Sequence, residues 1–204
     1  MIRRTICAAL LTYCMGILSG CATTTIPVSI LYSPSVEARG GSGNLFLKSG
    51  TGNTAISNAD NVRWVIGKRK DSDGMVTGEI LSVSSAGDIV LDALKRELTV
   101  AGYRVELGAS MPSGVPKGID LASVQVELEE TAGIPKIEIT CTVKISMDVW
   151  KNGAKMKRLS YETRVSDFAI IDRERLPRDM IEKGLRGVMS QAVPEIVAVL
   201  NGKS

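Results

Sequence analysis

The sequence predicts an α+β fold, in which two helices pack on one face of a mainly antiparallel sheet that contains a long β-hairpin. Apolar residues occupy every odd position from 137 to 149, which is typical of a long strand with one buried face. Two further segments, 91–101 and 177–200, carry apolar residues at helical spacing. The chain has 204 residues and is 44% hydrophobic, which is sufficient for one packed domain, and we place that domain at residues 28–204.

The first twenty residues differ in composition from the rest of the chain. Arg3 and Arg4 form a short positive region, and an uncharged, mostly apolar segment follows from residue 5 to residue 18. That segment is shorter than the roughly 20 residues that a membrane-spanning helix needs. It ends in Leu18-Ser19-Gly20-Cys21, where two small residues would fit a narrow peptidase groove and the cysteine thiol would accept a diacylglycerol. This pattern is typical of a bacterial lipoprotein signal.

We therefore expect residues 1–20 to be removed as a signal peptide and Cys21 to carry the lipid, palmitate included, that anchors the mature chain in a membrane. Residues 21–27 then form a lipidated tether. The alternatives are an ordinary secretory peptide that happens to precede a cysteine, or an uncleaved anchor. Ala22 stands where an aspartate would resemble an inner-membrane retention signal, so we expect an outer-membrane location that faces the periplasm.

Cysteine and histidine content excludes several kinds of site. Cys7 and Cys14 would leave with the signal peptide, so Cys141 would be the one free thiol of the mature chain. That leaves no disulfide framework and no cysteine-based metal site. The chain has no histidine, which removes the commonest metal ligand and the commonest general base near neutral pH. The net charge of +3 is too small to indicate nucleic acid. We expect no cofactor, no metal and no enzymatic activity.

The N-terminal part of the domain predicts strands separated by a polar loop. Residues 28–32 are predicted to form a first strand, and residues 62–67 a second strand that runs into a turn at 71–74. Between them, residues 38–60 are rich in glycine, serine and asparagine and are predicted to form a loop. Within that loop, Leu45-Phe46-Leu47 is expected to pair as a short strand.

A helix is predicted to begin after Ser85 and to end at Gly102. Ser85 and Asp88 have capping-box spacing, with aspartate in place of the usual glutamate or glutamine. Glycine suits the left-handed position that follows a helix, and residues 103–107 then alternate as a strand. The last helix, 177–200, has one apolar stripe, and Pro194 should kink or divide it. Gly184 and Gly187 suggest close packing of this helix on the sheet.

The long hairpin is predicted from two alternating runs. The first contains Ala122, Val124, Val126 and Leu128, and the second covers 137–149, with Cys141 on its apolar face as an inert core thiol. Leu159, Tyr161 and Val165 are also odd-numbered, so a two-residue turn would send them to the wrong face. We therefore predict a three-residue loop, Lys151-Asn152-Gly153, with Gly153 left-handed in a bulge. This loop would place Ile145 opposite Leu159 and Val143 opposite Tyr161.

The arrangement resembles the YajG-like family of bacterial lipoproteins. The resemblance rests on Cys21, the segments 28–32 and 65–71, and the Ala101-Gly102-Tyr103 turn, together with residues 94–97, the long hairpin and the C-terminal helix. The glycine-rich insertion at 38–60 departs from the shorter loop of that family. The resemblance implies an envelope location and contributes no catalytic residue. The layout is also similar to lipoproteins that assist lipid-transport ABC systems, and to activators of peptidoglycan synthases.

Three motifs would indicate chemistry if the structure supported them. Residues 50–55 spell G-x-G-x-x-A, but no helical periodicity follows, so a flexible loop is the simpler interpretation. A serine nucleophile would need activation by a lysine, since there is no histidine and no G-x-S-x-G. Several carboxylates could be imagined as the pair of a glycosidase, although most lie on polar strand faces: Glu127, Glu129, Glu130, Glu138 and Asp148.

Binding of a partner is better supported than catalysis. Three basic groups could contact acidic lipid or protein: residues 68–70, the hairpin tip, and Arg173, Arg175 and Arg178. The tip comprises Lys151, Lys155, Lys157 and Arg158. Trp64 and Trp150 are the two tryptophans, and Trp150 falls on the polar face beside the hairpin turn. The candidate partner contacts are therefore Trp150, Lys151 and Lys155, against the simpler interpretation of solvated loop ends and cross-strand packing.

The sequence thus predicts a non-enzymatic envelope lipoprotein that binds a protein or lipid partner. The alternatives are a lipid-binding accessory lipoprotein of an ABC-type lipid transport system, an activator of a peptidoglycan synthase, and an enzyme that acts on cell-wall glycan.

Overall fold

The computed structural model describes residues 27–48, 55–58, 61–133, 135–171 and 173–202. The expected signal peptide, Cys21 and the tether as far as residue 26 lie outside these ranges, as does most of the G-x-G-x-x-A motif. Within them the chain forms an α+β fold of eight strands and two helices. In chain order these are β1 (Asn44–Lys48), β2 (Ala55–Asn58), β3 (Asn61–Lys70), β4 (Val76–Ser82), α1 (Ala86–Val100), β5 (Arg104–Gly108), β6 (Lys117–Ala132), β7 (Ile137–Lys151), β8 (Ala154–Ala169) and α2 (Leu176–Leu200).

The long strand β6 organises the sheet. Along one edge it pairs antiparallel with β7, which pairs antiparallel with β8. Along the other edge it pairs in parallel with β1 near its start and with β3 near its end. Strand β5 joins β1 in parallel, and β2 and β4 flank β3 antiparallel. The sheet is therefore mixed, and "mainly antiparallel" was inexact, because strands far apart in sequence pair in parallel and leave no local turn signal.

Both helices share one apolar core with the sheet. Helices α1 and α2 contact each other, and the odd-numbered residues from Ile139 to Val149 of β7 are buried beneath α2. The predicted stripe of α2 is buried along its length: Ile181, Leu185, Val188, Met189, Ala192, Ile196 and Leu200. A Cβ at Gly184 would lie 2.8 Å from Val143 Cγ2, which confirms close packing on the sheet. The helix continues through Pro194 rather than dividing there.

The ends of α1 confirm the capping prediction. Ser85 Oγ accepts a hydrogen bond from the backbone N–H of Asp88 at 3.0 Å and donates to its carboxylate at 2.7 Å. At the other end Gly102 has φ +112°, and its N–H donates to Thr99 O at 3.1 Å. The chain then enters β5 as expected.

The prediction of a strand at 28–32 was wrong. Val28 forms a single parallel bridge with Ser82, and the residues after it do not join the sheet. The alternation of this segment instead reflects packing on the apolar core, where Tyr32 is 1% exposed. The short strand at 45–47 is confirmed as part of β1. Residues 55–58, expected to be loop, form β2 because their backbone pairs with the start of β3.

A β-bulge overturns the prediction for Ala122. The register between β6 and β7 shifts between Leu121 and Ser123, so Ala122 is exposed. Before the bulge the odd-numbered Ile119 and Leu121 are buried, and after it the even-numbered positions from 124 to 128 are buried. One inserted residue thus moves the apolar pattern from odd to even positions without rotating the strand away from the core.

The turn of the β7–β8 hairpin also differs from the predicted three-residue loop. Lys151 pairs with Ala154 across a two-residue turn, in which Asn152 (φ 51°) and Gly153 (φ 76°) are both left-handed, as a type I′ turn requires. The register then shifts between Val149 and Trp150, which leaves Met156 as the extra residue of a bulge. Odd positions therefore share a face as predicted, but the partners differ by two residues. Ile145 lies opposite Tyr161, Met147 opposite Leu159 and Val143 opposite Thr163.

Candidate functional site

A buried glutamate holds the N-terminal described segment against α1. Glu97 of α1 is 1% exposed and accepts hydrogen bonds from Tyr32 Oη at 2.6 Å and from Ser35 N at 2.8 Å. The N–H of Val36 also donates to it, at 3.2 Å to one oxygen and 3.3 Å to the other. We call these four residues the N-terminal clamp. Sequence reasoning missed it, because the donors are more than sixty positions away from Glu97.

The hydroxyl of Tyr32 stays a hydrogen-bond donor in the clamp. Burial raises the pKa of Tyr32 well above its usual range, and the hydrogen bond to Glu97 raises it further. The phenol therefore stays protonated and continues to donate. A carboxylate that accepts two backbone N–H groups is well suited to hold irregular chain against a helix. The clamp thus holds residues 32–36 against α1.

On the sheet face away from the helices, charged residues gather near the β7–β8 hairpin. Asp120 of β6 lies directly opposite Asp148 of β7. Arg158 donates to both oxygens of Asp148, from Nε at 2.7 Å and from Nη2 at 2.8 Å. Lys155 Nζ lies 2.8 Å from Asp148, and Lys48 Nζ lies 2.8 Å from Asp120. We call these five residues, together with Trp150, the hairpin cluster.

The electrostatics of the hairpin cluster stabilise its buried carboxylate. Asp148 is 7% exposed, and the hydrogen bond from Arg158, followed by that from Lys155, lowers its pKa to about 2. Its two cationic partners are themselves about half exposed. The cluster therefore presents three cations and two shielded acids to solvent, which is a modestly basic surface.

The structure brings together two of the three predicted partner contacts. Trp150 and Lys155 lie opposite each other on the face of the hairpin cluster, whereas Lys151, one position along, faces the other side near Gly202. Trp150 is half-buried rather than fully exposed. Its indole Nε1 is buried and finds no hydrogen-bond acceptor among the described residues. Across the strand lies Gly118, where a Cβ would meet Met111 Sδ at 2.7 Å.

Asp148 lies apart from the other carboxylates considered for glycosidase chemistry. Glu129 pairs with Lys70, and Glu130 pairs with Arg69 at 3.4 Å. Asp148 is six positions along β7 from the residue opposite Glu127, which corresponds to about 20 Å. A glycosidase pair needs a separation of roughly 5–9.5 Å.

Cys141 has the environment expected of a core thiol. It is fully buried, and burial raises its pKa to about 12, so the reactive thiolate is absent at neutral pH. In the part of the chain that the structure describes, no three cysteine, aspartate or glutamate side chains group as metal ligands would.

An exposed apolar group lies at the opposite end of the sheet from the hairpin. Phe168 and Ile170 are each 57% exposed and Ile171 is 80% exposed. Lys136 Nζ lies 5.2 Å from the centre of the Phe168 ring, and Arg173, from the third predicted basic group, donates to Pro135 O at 2.9 Å. The sequence signal is the loss of alternation after Ala169. Large exposed apolar side chains of this kind often mark contact surfaces.

Neither described helix is apolar enough over a sufficient length to cross a membrane. No protein-family model matches the chain and no curated protein matches it, so the resemblance to the YajG-like family stays a prediction.

Solved structures provide the remaining comparison. The fold is similar to that of a Xanthomonas campestris protein of the family DUF330, with a TM-score of 0.51 and 10% identity over 87% of this chain and 96% of that chain. A minor lipoprotein from Acinetobacter baumannii gives a TM-score of 0.38, with 10% identity over 67% of this chain and 91% of that chain. Rare lipoprotein B from Shewanella oneidensis gives a TM-score of 0.33, with 12% identity over 67% of this chain and 93% of that chain. The first similarity supports the fold alone, and the two lower scores carry no further conclusion.

Proposed function

We propose that this protein is a lipid-anchored lipoprotein of the bacterial envelope, whose periplasmic domain binds a partner and performs no catalysis. The observation that carries the proposal is Leu18-Ser19-Gly20-Cys21 at the end of a short, positively led apolar leader. Acylation of Cys21 with several chains, palmitate included, would hold the domain at a bilayer, since each buried CH₂ contributes about 0.8 kcal/mol. Ala22 favours the outer membrane.

The fixed start of the domain supports action at the membrane surface. Val28 N donates to Leu81 O at 2.7 Å, and Val28 O accepts from Val83 N at 3.2 Å. Six residues lie between Cys21 and Val28, and the seven Cα-to-Cα steps from one to the other span at most about 25 Å. The N-terminal clamp also holds the chain from Tyr32 to Val36, so these residues do not lengthen the connection to Cys21. The domain would therefore stay within about 25 Å of its anchor, and its partner must reach that layer.

Fractionation of cells tests the anchor. Cys21→Ala removes the acceptor thiol, while Cys14→Ala is a matched control that removes a leader cysteine outside the motif. We expect the wild-type protein and Cys14→Ala in the outer-membrane fraction. Cys21→Ala should leave that fraction and accumulate as precursor or as soluble protein. Unchanged outer-membrane recovery of Cys21→Ala would refute the anchor.

Crosslinking from the hairpin cluster tests partner binding. A photo-crosslinking residue at position 150 should capture an envelope component in living cells, because the half-buried Trp150 lies opposite the exposed Lys155 on the face of the hairpin cluster. The matched control is position 144, which is exposed on the same strand but six residues away. A specific product at 150 that is absent at 144 supports the proposal, and its identity separates a lipid-transport component from a peptidoglycan synthase. Equal labelling at both positions would count against this surface.

A further inference from the structure

The longest strand at the margin of the sheet has an open edge. Strand β8 has 16 residues and, among the described residues, pairs only with β7. Its register with β7 is continuous over thirteen pairs, from Val149–Lys157 to Ile137–Ala169. The one bulge in this pairing lies beside the hairpin turn, at Met156. Such an edge presents a row of unpaired N–H and C=O groups along the strand, which is a template for another strand.

We propose that a second copy of this chain pairs antiparallel through β8, about a two-fold axis at Thr163. An axis normal to the sheet keeps each face on the same side, so residues at equal distances from position 163 lie opposite one another. Glu162 then faces Arg164 of the second copy, and Arg164 faces Glu162, which gives two complementary contacts. Ser160 faces Ser166 in the same way.

Neighbouring registers are disfavoured by charge. An axis at Glu162 places two glutamates face to face, and an axis at Arg164 does the same with two arginines. An axis at Tyr161 sets Arg158 against Arg164. Of the registers centred on positions 161 to 164, the one on Thr163 is free of like-charge pairs.

The side chains that the contact needs are available. Glu162 and Arg164 both point to solvent on the face away from α2. Glu162 has an exposed ion pair with Lys144 at 3.1 Å, which is weak enough to share its carboxylate with a second cation. No ion pair of Arg164 occurs within the described ranges. The assembly would form one sheet across two copies, and it does not depend on the lipid anchor.

Charge reversal and its compensation test the proposal. The protein is purified from membranes in mild detergent, and its mass is measured by sedimentation equilibrium over a range of concentrations. Glu162→Arg and Arg164→Glu each create two like-charge contacts and should weaken dimerisation about tenfold or more. The double variant restores opposite charges and should return to within about threefold of wild type. Exposed positions were chosen so that all variants fold, as thermal unfolding will verify.

A second measurement does not depend on affinity. Ser160→Cys combined with Ser166→Cys should give a disulfide-linked dimer in the oxidising periplasm, whereas each single variant should not, because each cysteine would face a serine. A monomer throughout the concentration range overturns the proposal. So does a dimer that both single charge reversals leave unchanged, or capture of another protein's strand by β8 while this chain alone stays monomeric.

Discussion

Removal of the acceptor at the centre of the N-terminal clamp should release the start of the domain. Glu97 receives three donors: the Tyr32 hydroxyl and the backbone N–H groups of Ser35 and Val36. Glu97→Ala leaves all three without this acceptor, which is itself only 1% exposed. At about 1–1.5 kcal/mol for each donor, the free energy of unfolding should fall by about 3–5 kcal/mol. Tyr32→Phe removes one donor and should cost about 1–1.5 kcal/mol.

Urea denaturation measures both changes, since the midpoint falls while the slope stays constant if the folded state keeps its extent. Hydrogen exchange locates the effect, and protection should be lost over residues 28–43 before the core strands respond. Glu138→Ala is the control, because that carboxylate is exposed. If Glu97→Ala costs less than Tyr32→Phe, or if exchange over 28–43 is unaltered, the clamp does not hold the segment.

Three other changes test separate features. Asp148→Asn should cost roughly 1–2 kcal/mol at neutral pH, because the partners of this carboxylate are partly exposed. The folded-state pKa of Asp148 is lowered to about 2, so this stability is present above about pH 4 and lost as the pH falls toward 2, where variant and wild type should converge. Gly187→Ala should destabilise by about 1–2 kcal/mol despite better helix propensity, since its Cβ would lie 2.6 Å from Thr163 Cγ2, and Thr163→Ser should recover part of the loss. Asn152→Ala should cost about 1 kcal/mol while Asn152→Gly is nearly neutral, because φ is positive there. Denaturant midpoints measure each, and equal midpoints for Asn152→Ala and Asn152→Gly would contradict the turn assignment.

Local patterns predicted the elements whose signals are contained in a few residues. The cap at Ser85, the stop at Gly102 and the apolar face of β7 all follow from spacing that the chain carries within one element. Two of the errors concern insertions of a single residue. The bulges at Ala122 and Met156 shift pairing by one position, and a sequence shows them only when the partner strand is known. The parallel pairing of β1 with β6 was missed because the sequence does not show which distant strand becomes the partner of β1.

The residues of the candidate site divide in the same way, into those that a local pattern predicts and those that depend on a distant partner. Trp150 could be placed on the polar face from alternation alone, but Lys155 joins it only because of the bulge at Met156, and Asp120 joins it through a register that spans 28 residues. Lys48 and Glu97 were missed because their partners lie more than sixty positions away. Contacts of that range depend on which strands become neighbours, and no periodicity within one segment contains that information.

The mass of the N-terminal peptide of the mature protein tests the central claim most directly. Protein extracted from membranes is digested, and the peptide that begins at Cys21 is measured by mass spectrometry with and without mild alkaline hydrolysis of its ester-linked chains. We predict cleavage between Gly20 and Cys21, and a cysteine that carries a diacylglyceryl group and loses the mass of its ester-linked acyl chains on hydrolysis. An unmodified Cys21 thiol, or a peptide that still contains residues 1–20, would contradict the account.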